Sequence, residues 1–285
     1  MPDEHVSSSV DSKTGVPILS LYDGKLGRPS EESMRKFDLL IVDIQDVGLR
    51  FYTYYASMVR LMDACAEYNR KMLILDRPNP NGHYVDGPIL DMKYKSSVGW
   101  LPIPIVHGMT LGELALMVNG ERWLPASHIC DITVIKCKNY THQTMYELPI
   151  PPSPNLPNMK AVYLYPSTCY FEATPVSLGR GTQLPFQIYG HPNMLGYDYT
   201  FTPQSIPGAK NPPQLNRICH GVNLSELSNE EIWKKGVDLS YLIDAYRNLN
   251  MDDYFFRPFF ELLTGRDYVR KMIKQGKNAD EIKAM

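Results

Sequence analysis

Cysteine is scarce in this 285-residue chain: five residues (Cys65, Cys130, Cys137, Cys169 and Cys219), odd in number, widely spaced and without a C-x-x-C pair. That pattern argues against a disulfide framework or a zinc cage and leaves buried free thiols as the expectation. None of the seven histidines stands four residues from another and no H-E-x-x-H occurs, so a dedicated metal site has no support. An excess of one charge is missing too. Twenty-nine Lys+Arg against 31 Asp+Glu give a formal charge of -2, with no basic run dense enough for nucleic acid or an anionic membrane surface. The longest purely aliphatic run, Leu114 to Val118, is five residues, and Leu39 to Val42 and Met72 to Leu75 follow at four. A bilayer span needs about 20. Met1-Pro2-Asp3-Glu4-His5 has neither the basic start nor the apolar stretch of a signal peptide. No G-x-G-x-x-G, P-loop or G-x-S-x-G is present, which disfavours a bound dinucleotide, a nucleotide-dependent enzyme and a serine hydrolase elbow.

What is plentiful is proline (23) and tyrosine (19). Many prolines mark a loop-rich protein, and tyrosines suit stacking on sugar rings as well as amphipathic packing. Val16 to Tyr22 (VPILSLY, closed by Asp23-Gly24), Phe37 to Asp43 (FDLLIVD) and Lys71 to Asp76 (KMLILD) are β-compatible runs, and continuous apolar runs predict parallel strands. Ser30 before Glu31-Glu32 reads as a helix start. Phe51, Tyr55, Met58, Met62 and Cys65 recur at helical spacing, 111–118 is a second helix and 129–136 a further strand. Strands alternating with helices predict an α/β fold: a Rossmann-like, doubly wound, mostly parallel sheet over 1–147. A Pro-rich crossover follows at 148–158 (LPIPPSPNLPN). A smaller α/β subdomain over 159–285 is predicted to contain a strand at 161–165 and helices near 239–249 and 267–275.

Ligands of open α/β sheets bind beyond the carboxyl ends of the strands. Two clusters fall there. Asp43 to Tyr54 packs acids, an amide, Arg50 and phenols into one strand-to-helix turn, although Asp46 also suits a helix cap paired with Arg50. Asp76-Arg77-Pro78-Asn79 presents Arg and Asn stiffly, or is a plain rigid turn. His107 precedes Thr110 and Glu113, whose spacing is that of a capping box. Glu172 and the loop Gly179-Arg180-Gly181-Thr182 are positioned in the sequence to close over the same cleft and bring a guanidinium to an anion. Carboxylates, guanidiniums, amides and phenols together permit glycoside hydrolysis, in which one carboxylic acid protonates the leaving oxygen and a second carboxylate attacks or activates water.

The blocks D-I-Q-D-V-G-x-R-F-Y-T-Y (43–54), L-D-R-P-N-P-x-G (75–82), G-P-I-L (87–90), P-I-P-x-x-H-G-M-T-x-G-E-L-A (102–115), S-P-N-x-P (153–157), G-R-G-T (179–182) and C-H-G-V (219–222) resemble the bacterial exo-β-N-acetylmuramidase family. The resemblance implies a glycosidase that removes terminal N-acetylmuramic acid from peptidoglycan fragments in the cell envelope, periplasmic or secreted. It implies a muramic-acid-containing saccharide as ligand, no cofactor, and an active site between a Rossmann-like and a smaller α/β subdomain. Asp46, Glu172 and His107 are its catalytic candidates; Arg50, Tyr52, Asp76, Arg77, Asn79, Asn155 and Arg180 are the residues expected to orient the sugar. Two departures stand out. The family's Pro-Glu-His-Gly-Phe-Arg-Gly block, whose Glu is a candidate acid, is matched only faintly by Pro2-Asp3-Glu4-His5, and Gln183 stands where a Lys usually follows G-R-G-T. Read this way the chain is truncated at the start and short of a last helix at Met285, and the alternative is a non-catalytic binder of peptidoglycan fragments.

Overall fold

The computed structural model describes residues 8–21 and 27–285; Glu4 and the Asp23-Gly24 turn lie outside them. The first of two hydrophobic cores is built on a parallel sheet of β3 (Leu39–Val42), β4 (Lys71–Leu75) and β5 (Ile132–Ile135), in that spatial order. Leu40 pairs with Met72 and Met72 with Ile132, so alternate side chains of the three strands share a face. Strand order follows chain order, and right-handed crossovers then carry the intervening helices to one side. Those helices are α2 (Tyr54–Glu67) and α3 (Leu111–Gly120). Met58, Met62, Leu114 and Val118 of the two helices are buried with Val42, Met72 and Ile74 of the sheet. The helical stripe read from the sequence is thus the core face, but α2 starts only at Tyr54. Phe51 lies edge-on to Tyr165 at 5.0 Å and belongs to the other core. The short helix α1 (Glu31–Met34) is capped as expected by Ser30, whose Oγ accepts from Ser33 N–H at 3.2 Å.

On the opposite face of the sheet Leu39, Ile41, Leu75 and Ile135 are between 36% and 55% exposed. Water on one side of a parallel sheet is uncommon. The VPILSLY run does not join this sheet. Only Pro17–Ile18 is strand (β2), paired antiparallel with Ser9–Val10 (β1) in an exposed hairpin. Local chemistry explains the difference: the Asp11 side chain accepts from Thr14 N–H at 2.9 Å and Gly15 turns at φ +71°, which folds the segment back on itself.

The second core holds α4 (Met159–Thr168), the antiparallel sheet β6–β8–β7 (Ile188–His191, Cys219–Asn223, Tyr199–Phe201) and the helices α5 (Asn229–Lys235), α6 (Ser240–Leu249), α7 (Phe260–Thr264), α8 (Tyr268–Lys274) and α9 (Ala279–Lys283). The helices expected near 239–249 and 267–275 are α6 and α8. The expected strand at 161–165 is instead the middle of α4. Asn158 caps it, accepting from Ala161 N–H at 2.9 Å, and every residue from Ala161 to Thr168 is buried. A run apolar on all sides has no period to separate helix from strand. Val47, Leu49, Phe51, Tyr52, Ile105 and Val106, from the first half of the chain, also lie in this second core, so the turn after β3 is held between both halves.

Candidate active site

Asp46 stands four residues beyond β3 and is 7% exposed. Its Oδ1 accepts from Gly48 N–H at 2.7 Å, while Oδ2 is buried without a hydrogen-bond partner. Burial pushes the carboxyl up to about 7 against the opposing pull of the Gly48, Val47 and Tyr55 amides. Gln45 Nε2 donates to Asp46 O at 2.8 Å and to Pro78 O at 2.9 Å, fastening this turn to the loop after β4. Asp46, Gly48, Arg77, Asn79, Met109 and Thr110 line a small recess at the carboxyl end of the sheet.

His107 hangs from the same turn, its N–H donating to Gly48 O at 3.3 Å. Its Nδ1 accepts from Met109 N–H at 3.2 Å, which assigns the ring proton to Nε2, buried and without a partner. Burial pulls the imidazole down to about 4, so at neutral pH it is an uncharged donor, not an acid. Sequence reasoning overlooked its neighbours after β5. Tyr140 Oη lies 3.2 Å from both N and O of Asn79, and His142 bridges Gly82 O (3.2 Å) and Glu113 Oε1 (3.0 Å). Both partners of the His142 ring are acceptors; burial pulls its pKa down, but Glu113 and the Gly82 and Gly108 carbonyls raise it overall. The carboxyl-end rule that singled out the segments after β3 and β4 applies equally to Asn139-Tyr140-Thr141-His142 after β5.

Several residues expected to orient a sugar have structural tasks. Arg50 is fully buried, with Nη1 donating to Pro88 O (2.6 Å) and Ile103 O (2.8 Å) and Nη2 to Leu263 O (3.1 Å) and Thr264 O (2.8 Å). It neither pairs with Asp46 nor reaches a ligand, and burial lowers it to about 10. Tyr52 is buried and donates to Pro152 O at 2.8 Å, securing the Pro-rich crossover. Asp76 accepts from Gly112 N–H (2.9 Å) and Thr110 Oγ1 (2.6 Å) and so anchors the start of α3, where Thr110 and Glu113 form the expected capping box. Asn79 is 3% exposed, its Nδ2 on Met109 O and its Oδ1 under Asn81 N–H. Asn155 donates to Gly208 O at 3.1 Å. These five hold the site's walls in place.

Glu172 and Arg180 meet each other rather than an open cleft: Arg180 Nη2 is 2.5 Å from Glu172 Oε1, and the guanidinium lies 5.3 Å from the centre of the Phe186 ring. Part of the expected anion cradle is used internally, because Thr182 N–H and Oγ1 both bond Gly179 O and Gly179 N–H bonds Ser177 Oγ. Tyr165 lies within the field of Glu172, and its ring centre is 6.4 Å from that of Tyr52, which lies within the field of Asp46. Among the described residues no group of three or more His, Cys, Asp or Glu is arranged to hold a metal ion, and no helix is long and apolar enough to cross a membrane.

The sequence matches the family described as exo-β-N-acetylmuramidase NamZ, with the N-terminal part over residues 2–160 and the C-terminal part over 163–285. Over 297 aligned positions it is 37% identical to the peptidoglycan β-N-acetylmuramidase NamZ of Bacillus subtilis (strain 168), spanning 98% of this chain and 70% of that one. The fold is similar to that of a DUF1343 family protein from Bacteroides fragilis NCTC 9343 whose crystal structure is known. There the TM-score is 0.93 and the identity 83%, over 96% of this chain and 76% of that one. A second DUF1343 structure from the same organism gives a TM-score of 0.76 at 29% identity, over 94% and 75% of the two chains. The ordered motifs, the α/β architecture and a match over nearly all of this chain agree, and this chain belongs to the exo-β-N-acetylmuramidase NamZ family.

Proposed function

We propose that this protein is a glycoside hydrolase that releases terminal N-acetylmuramic acid from the non-reducing end of peptidoglycan fragments, with Asp46 as the carboxyl group that moves the proton. The observation that carries the assignment to Asp46 is its environment. Oδ1 is occupied by the Gly48 amide, Oδ2 is buried and unpartnered, and burial lifts the pKa to about 7. A carboxyl that still holds its proton near neutrality is what protonation of a glycosidic oxygen requires. Glu172, paired with Arg180, does not line the recess that holds Asp46 and takes no step in this reading, while neutral His107 donates from Nε2 to an uncharged oxygen of the sugar. The substrate lies in the cell envelope, and we place the protein there.

The test is release of free N-acetylmuramic acid from N-acetylmuramyl-N-acetylglucosamine, with circular dichroism confirming that each protein is folded. Asp46→Asn is expected to lower turnover by roughly 10² to 10⁴. Full turnover by that variant removes Asp46 from the mechanism; a folded wild-type protein that releases no sugar defeats the functional reading itself.

A further inference from the structure

Muramic acid differs from glucosamine by a lactyl ether that ends in a carboxylate, so a muramidase must place a cation beside its sugar site. Two of the guanidiniums expected near the site have other partners and do not line the recess. Arg50 is spent on four carbonyls, and Arg180 pairs through Nη2 with Glu172, while the His142 ring is taken by Glu113 and Gly82. Lys136 and Lys138 follow β5 but do not line the recess. Arg77 lines the recess with Asp46 and is itself about half exposed. Its backbone N–H donates to its own neighbour Asp76 at 3.1 Å, and Pro78 stiffens the next bond. Asp43 binds its Nε at 2.5 Å. That contact fixes the plane of the guanidinium and leaves both Nη groups without a partner among the described residues. Such a fork suits a bidentate carboxylate.

We propose that Arg77 is the specificity-determining residue of this site, receiving the lactyl carboxylate of N-acetylmuramic acid on its two Nη groups, with Asp43 as the positioning residue that orients it. The inference rests on the functional reading above and adds the group that is recognised. Neither neighbouring acid occupies the Nη groups: Asp76 is bonded to Thr110 and Gly112, and Asp43 sits on the Nε side of the guanidinium. Asp46 stays uncharged when protonated, so it can stand beside an anionic sugar.

Calorimetric binding of free N-acetylmuramic acid, beside N-acetylglucosamine as the sugar without the lactyl group, reads this without turnover. Arg77→Gln is expected to weaken muramic acid binding by roughly 10- to 100-fold and leave glucosamine binding unchanged, with partial recovery in Arg77→Lys. Asp43→Asn is expected to produce a smaller loss, seen in turnover as a raised KM at unchanged kcat. Equal losses for both sugars, or undiminished muramic acid binding by Arg77→Gln, overturn the proposal. A wild type that shows this binding pattern yet releases no N-acetylmuramic acid would instead count against the hydrolase reading.

Discussion

Gly48 lies directly beneath the side-chain amide of Asn79, so close that a Cβ on Gly48 would sit 2.2 Å from Asn79 Oδ1 and 2.3 Å from Nδ2. Gly48 also turns at φ +76°, which an L side chain adopts only with strain. Gly48→Ala is therefore expected to cost at least about 1–2 kcal/mol from conformation alone, and more from the displaced amide. Because Gly48 N–H holds Asp46 and Gly48 O holds His107, turnover should fall further than stability does. Urea unfolding and kinetics of the same variant check both. Removing the obstacle in Gly48→Ala/Asn79→Ala should recover part of the stability, a non-additive result expected of residues in contact.

The carboxyl of Asp46 is raised from 3.8 to about 7 by burial, so its pH signature is the reverse of an ordinary paired carboxylate. As a proton donor it works below that value, and the rate should fall as pH rises through about 7. His107, held down near 4, should add no limb between pH 5.5 and 8. For stability, the folded state keeps a proton that the unfolded chain has lost between the two values. Stability contributed by that proton is complete below the unfolded pKa and disappears as pH climbs through the folded one. The wild type should thus lose stability relative to Asp46→Asn from about pH 4 to pH 7, by at most about 1.4 kcal/mol per pH unit, in denaturation midpoints measured across that range.

Arg50 is expected to be intolerant of replacement. Arg50→Met removes the guanidinium's hydrogen bonds from the Pro88, Leu263 and Thr264 carbonyls, Ile103 O keeping the Leu90 amide, and Arg50→Lys offers a single ammonium to partners arranged around a planar fork. Each variant should be destabilised by roughly 3 kcal/mol or more, with Lys the milder, in chemical denaturation. A loss below 1 kcal/mol for Arg50→Met would show that the guanidinium does not hold the two halves.

The open side of the parallel sheet makes a prediction of its own. Leu39, Ile41, Leu75 and Ile135 form an apolar surface that water meets directly. Ile41→Lys with Ile135→Lys should reduce binding of a hydrophobic fluorescent dye and self-association in sedimentation, while shifting stability by only about 0.5 kcal/mol. Unchanged dye binding would mean that this surface is covered in solution.

How far the sequence could be read depended on whether a residue's role was local. The helical stripe of α2, the capping box at Thr110 and the runs of β3 and β4 are short-range patterns, and each is present. Asp46 was legible because a strand's carboxyl end is a general place for chemistry. Helix α4 was not, since burial on all sides erases its period. Arg50 looked like a ligand because its partners, Pro88 and Ile103 on one side and Leu263 and Thr264 on the other, are 38 to 214 residues away. The Glu172–Arg180 pair is different: its members are eight residues apart and the loop's own bonds span two or three residues, so local contacts were read as ligand-facing groups.

Arg50 sits four residues from Asp46, and its guanidinium joins the strand-end segments at Pro88 and Ile103 to the last turn of α7. A crossbar at that point ties the two cores together beside the turn that carries Asp46. Strain applied to either core is delivered within four residues of that carboxyl, so a load on one half of the chain is felt at its buried acid.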